Sequence, residues 1–416
     1  MTHKKQKFLP VNETISSDQT SGNVSNRSLA HGRLNRRALL CAVGGGFTAG
    51  CLGDSRDESD DSGEDASDVL PDIPRVADPP AAVYVPTHRE TMAHLPTIQT
   101  GEYALSPMLT YPHRFWTVTG NSAEEVLPVD RRGVHLMVTP WDPETEQVLP
   151  IDSGATFRIY LHGDLIETVT PWPMISQTMG FHFGDNIPLP VDDTYSVEIE
   201  LPPISSRKEG DFEGKFEEST TGSFQFVYDE DLRYRLIENV EYLDEAVWGA
   251  EGALEPLAHG DVVPVEGGVM DDETNHTGDH DHSHDDMGDG HDHDAPFSTV
   301  PEPSAYPGTH LGTPKSGDAL IVVQSIPDED VVIVSPRTPY NHVPLADMAI
   351  SVTGSIEGEL EQTIDPTLGL HYRIAGALDP GDSIALQFDA PPQVSRHAGF
   401  ETAFLDMEEV EVTVPQ

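Results

Sequence analysis

The 416-residue chain has only two cysteines, Cys41 and Cys51, and six lysines. With no cysteine after position 51, a disulfide-stapled scaffold and a thiolate nucleophile are both excluded. Basic side chains are also scarce, 23 against 72 acidic ones, for a formal charge of −49. That excludes a nucleic-acid binder working through a basic face, because phosphates demand positive charge. No run of about 18 apolar residues occurs, so no segment reads as a membrane-spanning helix. Hydrophobic residues make up 37%, below the globular norm of about 45–50%. Part of the chain is therefore expected to lie outside any packed core. Catalytic signatures are missing too: there is no G-x-S-x-G, Walker loop, H-E-x-x-H or dinucleotide glycine fingerprint. The chain does not read as an enzyme.

Charge is unevenly placed. Residues 1–50 carry seven basic and two acidic groups, and residues 51–416 carry 16 and 70. Within the basic front, Arg36-Arg37 precedes the apolar run Ala38 to Ala49, a twin-arginine export motif before a short signal core. The run ends in Thr48-Ala49-Gly50-Cys51, a lipobox-like site with Cys51 as the lipid acceptor. The expected location is the outer face of the cytoplasmic membrane, anchored through Cys51. The acid excess runs through segments patterned as folded strands. It resembles the surface of an extreme halophile's protein, where salt screens the repulsion.

Period-two alternation dominates from Pro79 onward. Val134, Leu136 and Val138 alternate with His135 and Met137; Phe157, Ile159 and Leu161, then Tyr195, Val197 and Ile199, follow the same rule. Short alternating strands broken by Pro and Gly predict an all-β fold: two immunoglobulin-like β-sandwich domains joined by a disordered His/Asp-rich linker. The expected boundaries are a signal over 1–50, an acidic tether over 51–76, and a first sandwich over 77–235. A linker over 236–315 and a second sandwich over 316–416 complete the chain. A short helix is expected between Leu236 and Leu257.

The two blocks repeat each other. Met179-Gly180-Phe181-His182-Phe183 matches Leu368-Gly369-Leu370-His371-Tyr372 at an offset of 189, as do Pro202-Pro203 with Pro391-Pro392 and Ser206-Arg207 with Ser395-Arg396. Ser106-Pro107 with His113 matches Ser335-Pro336 with His342 at an offset of 229. On these landmarks the first copy carries about 40 extra residues.

Histidine and methionine are the informative donors. His276, His280, His282, His284, His291 and His293 lie within 18 residues among aspartates. Such a chain can wrap imidazole and carboxylate around Zn, Cu, Ni or Fe, with little geometric selectivity. In the first sandwich, Met174 and Met179 stand just ahead of His182, a soft-to-borderline set suited to copper and tolerable to ferrous iron. His135, Met137 and Met348 read as structural.

Ala81-Ala82-Val83-Tyr84, then Met174 to Met179-Gly180-Phe181-His182-Phe183-Gly184-Asp185-Asn186, then Pro202-Pro203, resemble the periplasmic iron-transport lipoprotein family over residues 79–230. The resemblance implies an immunoglobulin-like sandwich that binds iron or copper and serves iron uptake beside a membrane permease, as a dimer. It implies His182 as a ligand with Met174, or Met179, at the methionine position, and His113 as a further candidate, to which the internal repeat adds His342. A family histidine after the Pro-Pro turn is replaced by Lys208 in the first block and kept as His397 in the second. The second block also keeps His371 but has Leu368 in place of a methionine. Neither block alone presents the whole ligand set. The alternative reading is a structural or adhesive surface module with incidental histidines.

Overall fold

The computed structural model describes residues 73–129, 132–257, 262–270 and 295–416. Arg36, Arg37, Cys51 and the six histidines from His276 to His293 lie outside the described residues. The fold is all-β, two sandwiches with one short α-helix among the described residues.

In the first sandwich, an eleven-stranded sheet runs through Met92–His94, Tyr103–Thr110, Gly133–Asp142, Gly180–Pro188 and Trp172–Ser176 in spatial order. Its partner sheet has Asp164–Val169, Thr156–Leu161, Asp193–Leu201, Thr220–Tyr228 and Gly267–Val269. Alternation decides which side chains meet between them. Leu136, Val138, Phe181, Phe183 and Ile175 point into the shared core with Phe157, Tyr195 and Phe224. Consequently His135, Met137, His182, Gly184 and Met174 share the opposite face, and that face is buried as well.

The second sandwich repeats the plan. Ala319–Ile326, Val331–Arg337, Gly369–Ala375 and Glu361–Asp365 form its larger sheet, against Ala349–Gly354, Ser383–Ala390 and Val410–Thr413. Both sandwiches contribute to one continuous apolar core.

Register settles which strands correspond. Phe183 lies opposite Val138, and Tyr372 lies opposite Val334. Val331–Arg337 is therefore the counterpart of Gly133–Asp142, and Ser335-Pro336 corresponds to Thr139-Pro140 at an offset of 196. The match of Ser106-Pro107 with Ser335-Pro336 joins two non-equivalent strands that carry the same dipeptide by composition alone. The copies differ here by seven residues rather than about 40.

Each sandwich lends a segment to the other. Ser395–Arg396 pairs in parallel with the Met174 strand, placing Ser395 opposite Met174 and Arg396 opposite Ile175. Reciprocally, Arg207–Lys208 pairs in parallel with Glu361–Asp365, placing Arg207 opposite Thr363. Both lent segments follow a Pro-Pro, whose fixed φ and missing N–H end the preceding strand pairing.

The helix is Glu230–Glu238, earlier than the expected stretch from Leu236 to Leu257. Asp229 caps it by accepting the Leu232 N–H at 2.8 Å, and Glu230 and Asp231 favour the helix N-terminus. Residues 245–247 form only a single 3-10 turn. No helix of the described residues is long and apolar enough to cross a membrane.

Candidate metal centre

Four histidines distant in sequence converge on the buried outer face of the larger first sheet. His135 and His182 project from neighbouring strands; Asn186 lies opposite His135, and His182 stands four residues before Asn186 with Gly184 between them. His113 follows the Tyr103–Thr110 strand. His397 comes from the second sandwich, immediately after the lent segment, and its N–H donates to the Ile175 carbonyl at 3.2 Å. One nitrogen each of His113, His135 and His397 fall within 4.8 Å of one another. All four side chains are buried.

Second partners fix the tautomers. The Nδ1 of His113 lies 3.1 Å from the Tyr111 carbonyl, and that of His182 lies 3.2 Å from the Gly180 carbonyl. The Nδ1 of His135 lies 3.0 Å from Asn186 Oδ1. Asn186 is itself oriented, since its Nδ2 donates to the His113 carbonyl at 2.8 Å. Each Nδ1 facing an oxygen acceptor must carry the proton, so each Nε2 keeps its lone pair. Those lone pairs point inward. His113 Nε2 meets His397 Nδ1 at 3.2 Å, and His182 Nε2 meets His397 Nε2 at 3.2 Å. A neutral His397 has one proton and can satisfy only one of them. His135 Nε2 has no hydrogen-bond partner at all.

Burial holds His113, His135 and His182 neutral. It lowers the His113 pKa to about 4, with the neighbouring charge of Glu90 acting in the opposite direction. Burial likewise pushes His135 and His182 well below the usual imidazole range. A cluster of neutral imidazoles with inward lone pairs is a donor set for a transition-metal ion.

A thioether borders the same space. Met174 lies opposite His182 across the antiparallel pair. A methyl group on Gly184 would sit 3.0 Å from His135 Nε2, 3.2 Å from Met174 Sδ and 3.4 Å from His182 Cδ2. The φ of Gly184 is not positive, so its backbone needs no glycine. What the position needs is the absence of a side chain.

Arg396 braces the turn that presents His397. Its buried guanidinium donates to the carbonyls of Phe400 and Pro392 at 3.3 Å, and to that of Ala403. It also lies over the Phe404 ring at 5.4 Å. Burial lowers its pKa to about 9, still above neutrality.

The other candidates are placed elsewhere. Met179 packs with Met92, Met108 and Met137. His342 is half-buried, 3.4 Å from Glu302. His371 is the strand counterpart of His182 and repeats its Nδ1 contact, at 3.1 Å from the Gly369 carbonyl. No other imidazole joins it among the described residues. Its Nε2 lies 4.0 Å from Glu209, which is ion-paired to Arg373. Arg373 occupies the strand position of Gly184, Thr363 that of Met174 and Val331 that of His135. The second sandwich thus has a built-in cation where the first has a vacant glycine position.

Two participants escape the sequence reading. His135 looks like an ordinary strand histidine, although Val134-His135-Leu136-Met137-Val138 already sets it opposite the apolar side chains. Glu90 lies in His88-Arg89-Glu90 beyond the Ala81-Ala82-Val83-Tyr84 landmark. Its Oε1 is 3.7 Å from His88 Nε2 and 4.0 Å from His397 Nδ1. A cavity of about 360 Å³ reaches His88, Glu90 and His113, with Tyr84, Tyr111 and Trp116 among its walls.

A domain family of unknown function, DUF7350, matches residues 304–413, which is the second sandwich. No curated protein matches the chain in sequence. Among solved structures, the chain is similar to a copper-bound variant of FetP from uropathogenic Escherichia coli strain F11. Identity is 17% and the TM-score 0.25, over 33% of this chain and 97% of that one. A likeness of this size establishes no shared function.

Proposed function

We propose that this chain is a metal-binding protein whose centre is His113, His135, His182 and His397, with Met174 at its edge. One observation carries the reading. Three Nδ1–H groups are committed to oxygens, which leaves more inward lone pairs than one shared proton can satisfy. Unpaired buried acceptors cost free energy, and a bound cation removes that cost. Imidazole with a thioether suits copper and accommodates ferrous iron. Glu90 adds a hard oxygen on the cavity side, which favours iron more than the imidazoles alone would. The leader motif and the family resemblance extend this to a lipid-anchored extracytoplasmic component of iron uptake beside a permease.

Elemental analysis of untagged protein tests the metal. We expect copper or iron near one equivalent beyond whatever remains after His113, His135, His182 and His397 are all replaced. An unchanged metal content in that variant, with the fold retained, overturns the proposal.

A further inference from the structure

Four methionines, Met92, Met108, Met137 and Met179, pack against one another in a buried cluster separate from the main core. The main core holds one methionine, Met348, among its buried members. Methionine fills irregular gaps in many cores, so clustering alone decides nothing. The internal repeat supplies the control. Register makes Ile333 the counterpart of Met137, and the repeat makes Leu368 the counterpart of Met179. In the second sandwich that same place is packed by Ile326, Val331, Ile333 and Tyr306, with Leu368 against them. Gln324, opposite Ile333, holds the register position of Met108, so hydrocarbon, one phenol and one buried amide fill this part of the fold. The first sandwich uses sulfur four times where the second uses none.

Position reinforces the contrast. Met137 is the cross-strand partner of both Met108 and Gly184. It also shares its strand face with His135, two residues and about 7 Å along the chain. Thioethers are neutral, soft and polarisable donors. In a buried pocket they tolerate a monovalent soft ion far better than a divalent or trivalent hard one.

We infer that Met92, Met108, Met137 and Met179 form a second site, selective for monovalent copper, beside the imidazole centre. The site stands without the imidazole proposal, because its donors are all sulfur.

The test gives the first sandwich the residues of the second, Met137→Ile with Met179→Leu, in the full chain. Both replacements keep apolar volume, so the fold is expected to survive. Under reducing, oxygen-free conditions, Cu(I) is titrated against a coloured Cu(I) chelator. The wild type is expected to hold one Cu(I) per chain more than the variant, with a sulfur-rich shell in X-ray absorption that the variant loses. Divalent copper uptake is expected to be equal in the two. Equal Cu(I) stoichiometry and equal sulfur scattering in a folded variant overturn the inference. Should the variant not fold, wild-type protein with ¹³C-methyl methionine is titrated with Ag(I), a redox-silent substitute. Shifts of the four clustered methyl resonances support the site, and unmoved resonances overturn it.

Discussion

His182 and His397 face each other through their Nε2 atoms at 3.2 Å, although 215 residues separate them. Neither could reach the other within one sandwich. The contact exists because the Ser395–Arg396 segment leaves its own block and joins the Met174 strand. The centre therefore belongs to both blocks. His397→Ala is expected to weaken metal binding at least about 100-fold, since loss of an outer-shell partner alone typically costs 10–100-fold. His371→Ala is expected to leave it unchanged. Calorimetric titration of both variants against wild type checks this, the histidine tract being common to all three. An equal effect of the two substitutions would sink the assignment.

Gly184 offers a sharper probe. Its backbone accepts alanine, yet the added methyl would press on His135 Nε2 and Met174 Sδ at 3.0 and 3.2 Å. Gly184→Ala is expected to cost about 1–3 kcal/mol as overpacking while lowering metal affinity by more than tenfold. Thermal unfolding and metal titration separate the two effects. Affinity equal to wild type would show that the space beside Gly184 takes no ion.

The buried imidazoles make metal-free protein acid-sensitive. His113 titrates near 4 in the fold because burial disfavours its charged form. The unfolded chain takes up that proton near 6.5. A depressed folded pKa contributes stability that is present above the unfolded value and lost as pH falls through the folded one. The loss therefore develops from about pH 6.5 down to 4, and amounts to about 3 kcal/mol for His113 alone. His135 and His182 act in the same direction. Asp185 and Asp347, raised by burial to about 6, oppose it, because each is protonated earlier when folded. The three imidazoles outweigh the two carboxyls. Urea midpoints of chelator-treated protein are expected to fall between pH 7.5 and 5, measured in high salt to screen the general acid repulsion. A flat or rising midpoint would contradict this.

Much of the fold was legible in alternation. Val134-Leu136-Val138 and Phe157-Ile159-Leu161 sit on strands facing the core, because period two admits no other burial of those side chains. His182, Met174, His113 and His397 were also legible as candidates. Their assembly was not, because strand exchange is a long-range event with no local signature. His135 was hidden by a different cause. The sheet is buried on both faces, whereas alternation in a half-exposed sheet would have put His135 in solvent. The Ser-Pro landmark misled because a dipeptide recurs cheaply, while register does not.

Arg396 links stability to the site. Its guanidinium satisfies the carbonyls of Pro392, Phe400 and Ala403 around the turn that holds His397. Arg396→Ala takes this donor from all three carbonyls, of which that of Phe400 keeps the Ala403 N–H, and is expected to cost about 3–5 kcal/mol. At roughly 2–4 °C per kcal/mol, the melting temperature would fall by about 6–20 °C. A purely structural role would stop there. A positioning role adds a loss of metal affinity at temperatures where the variant is fully folded, because the turn no longer aims His397 at His113 and His182. Arg396→Lys keeps the charge but not the three-way fork, so it should recover part of the stability and less of the affinity. His397→Ala is expected to show the reverse pattern, a large affinity loss with little change in melting temperature. Metal affinity intact in folded Arg396→Ala protein would confine this arginine to holding the turn.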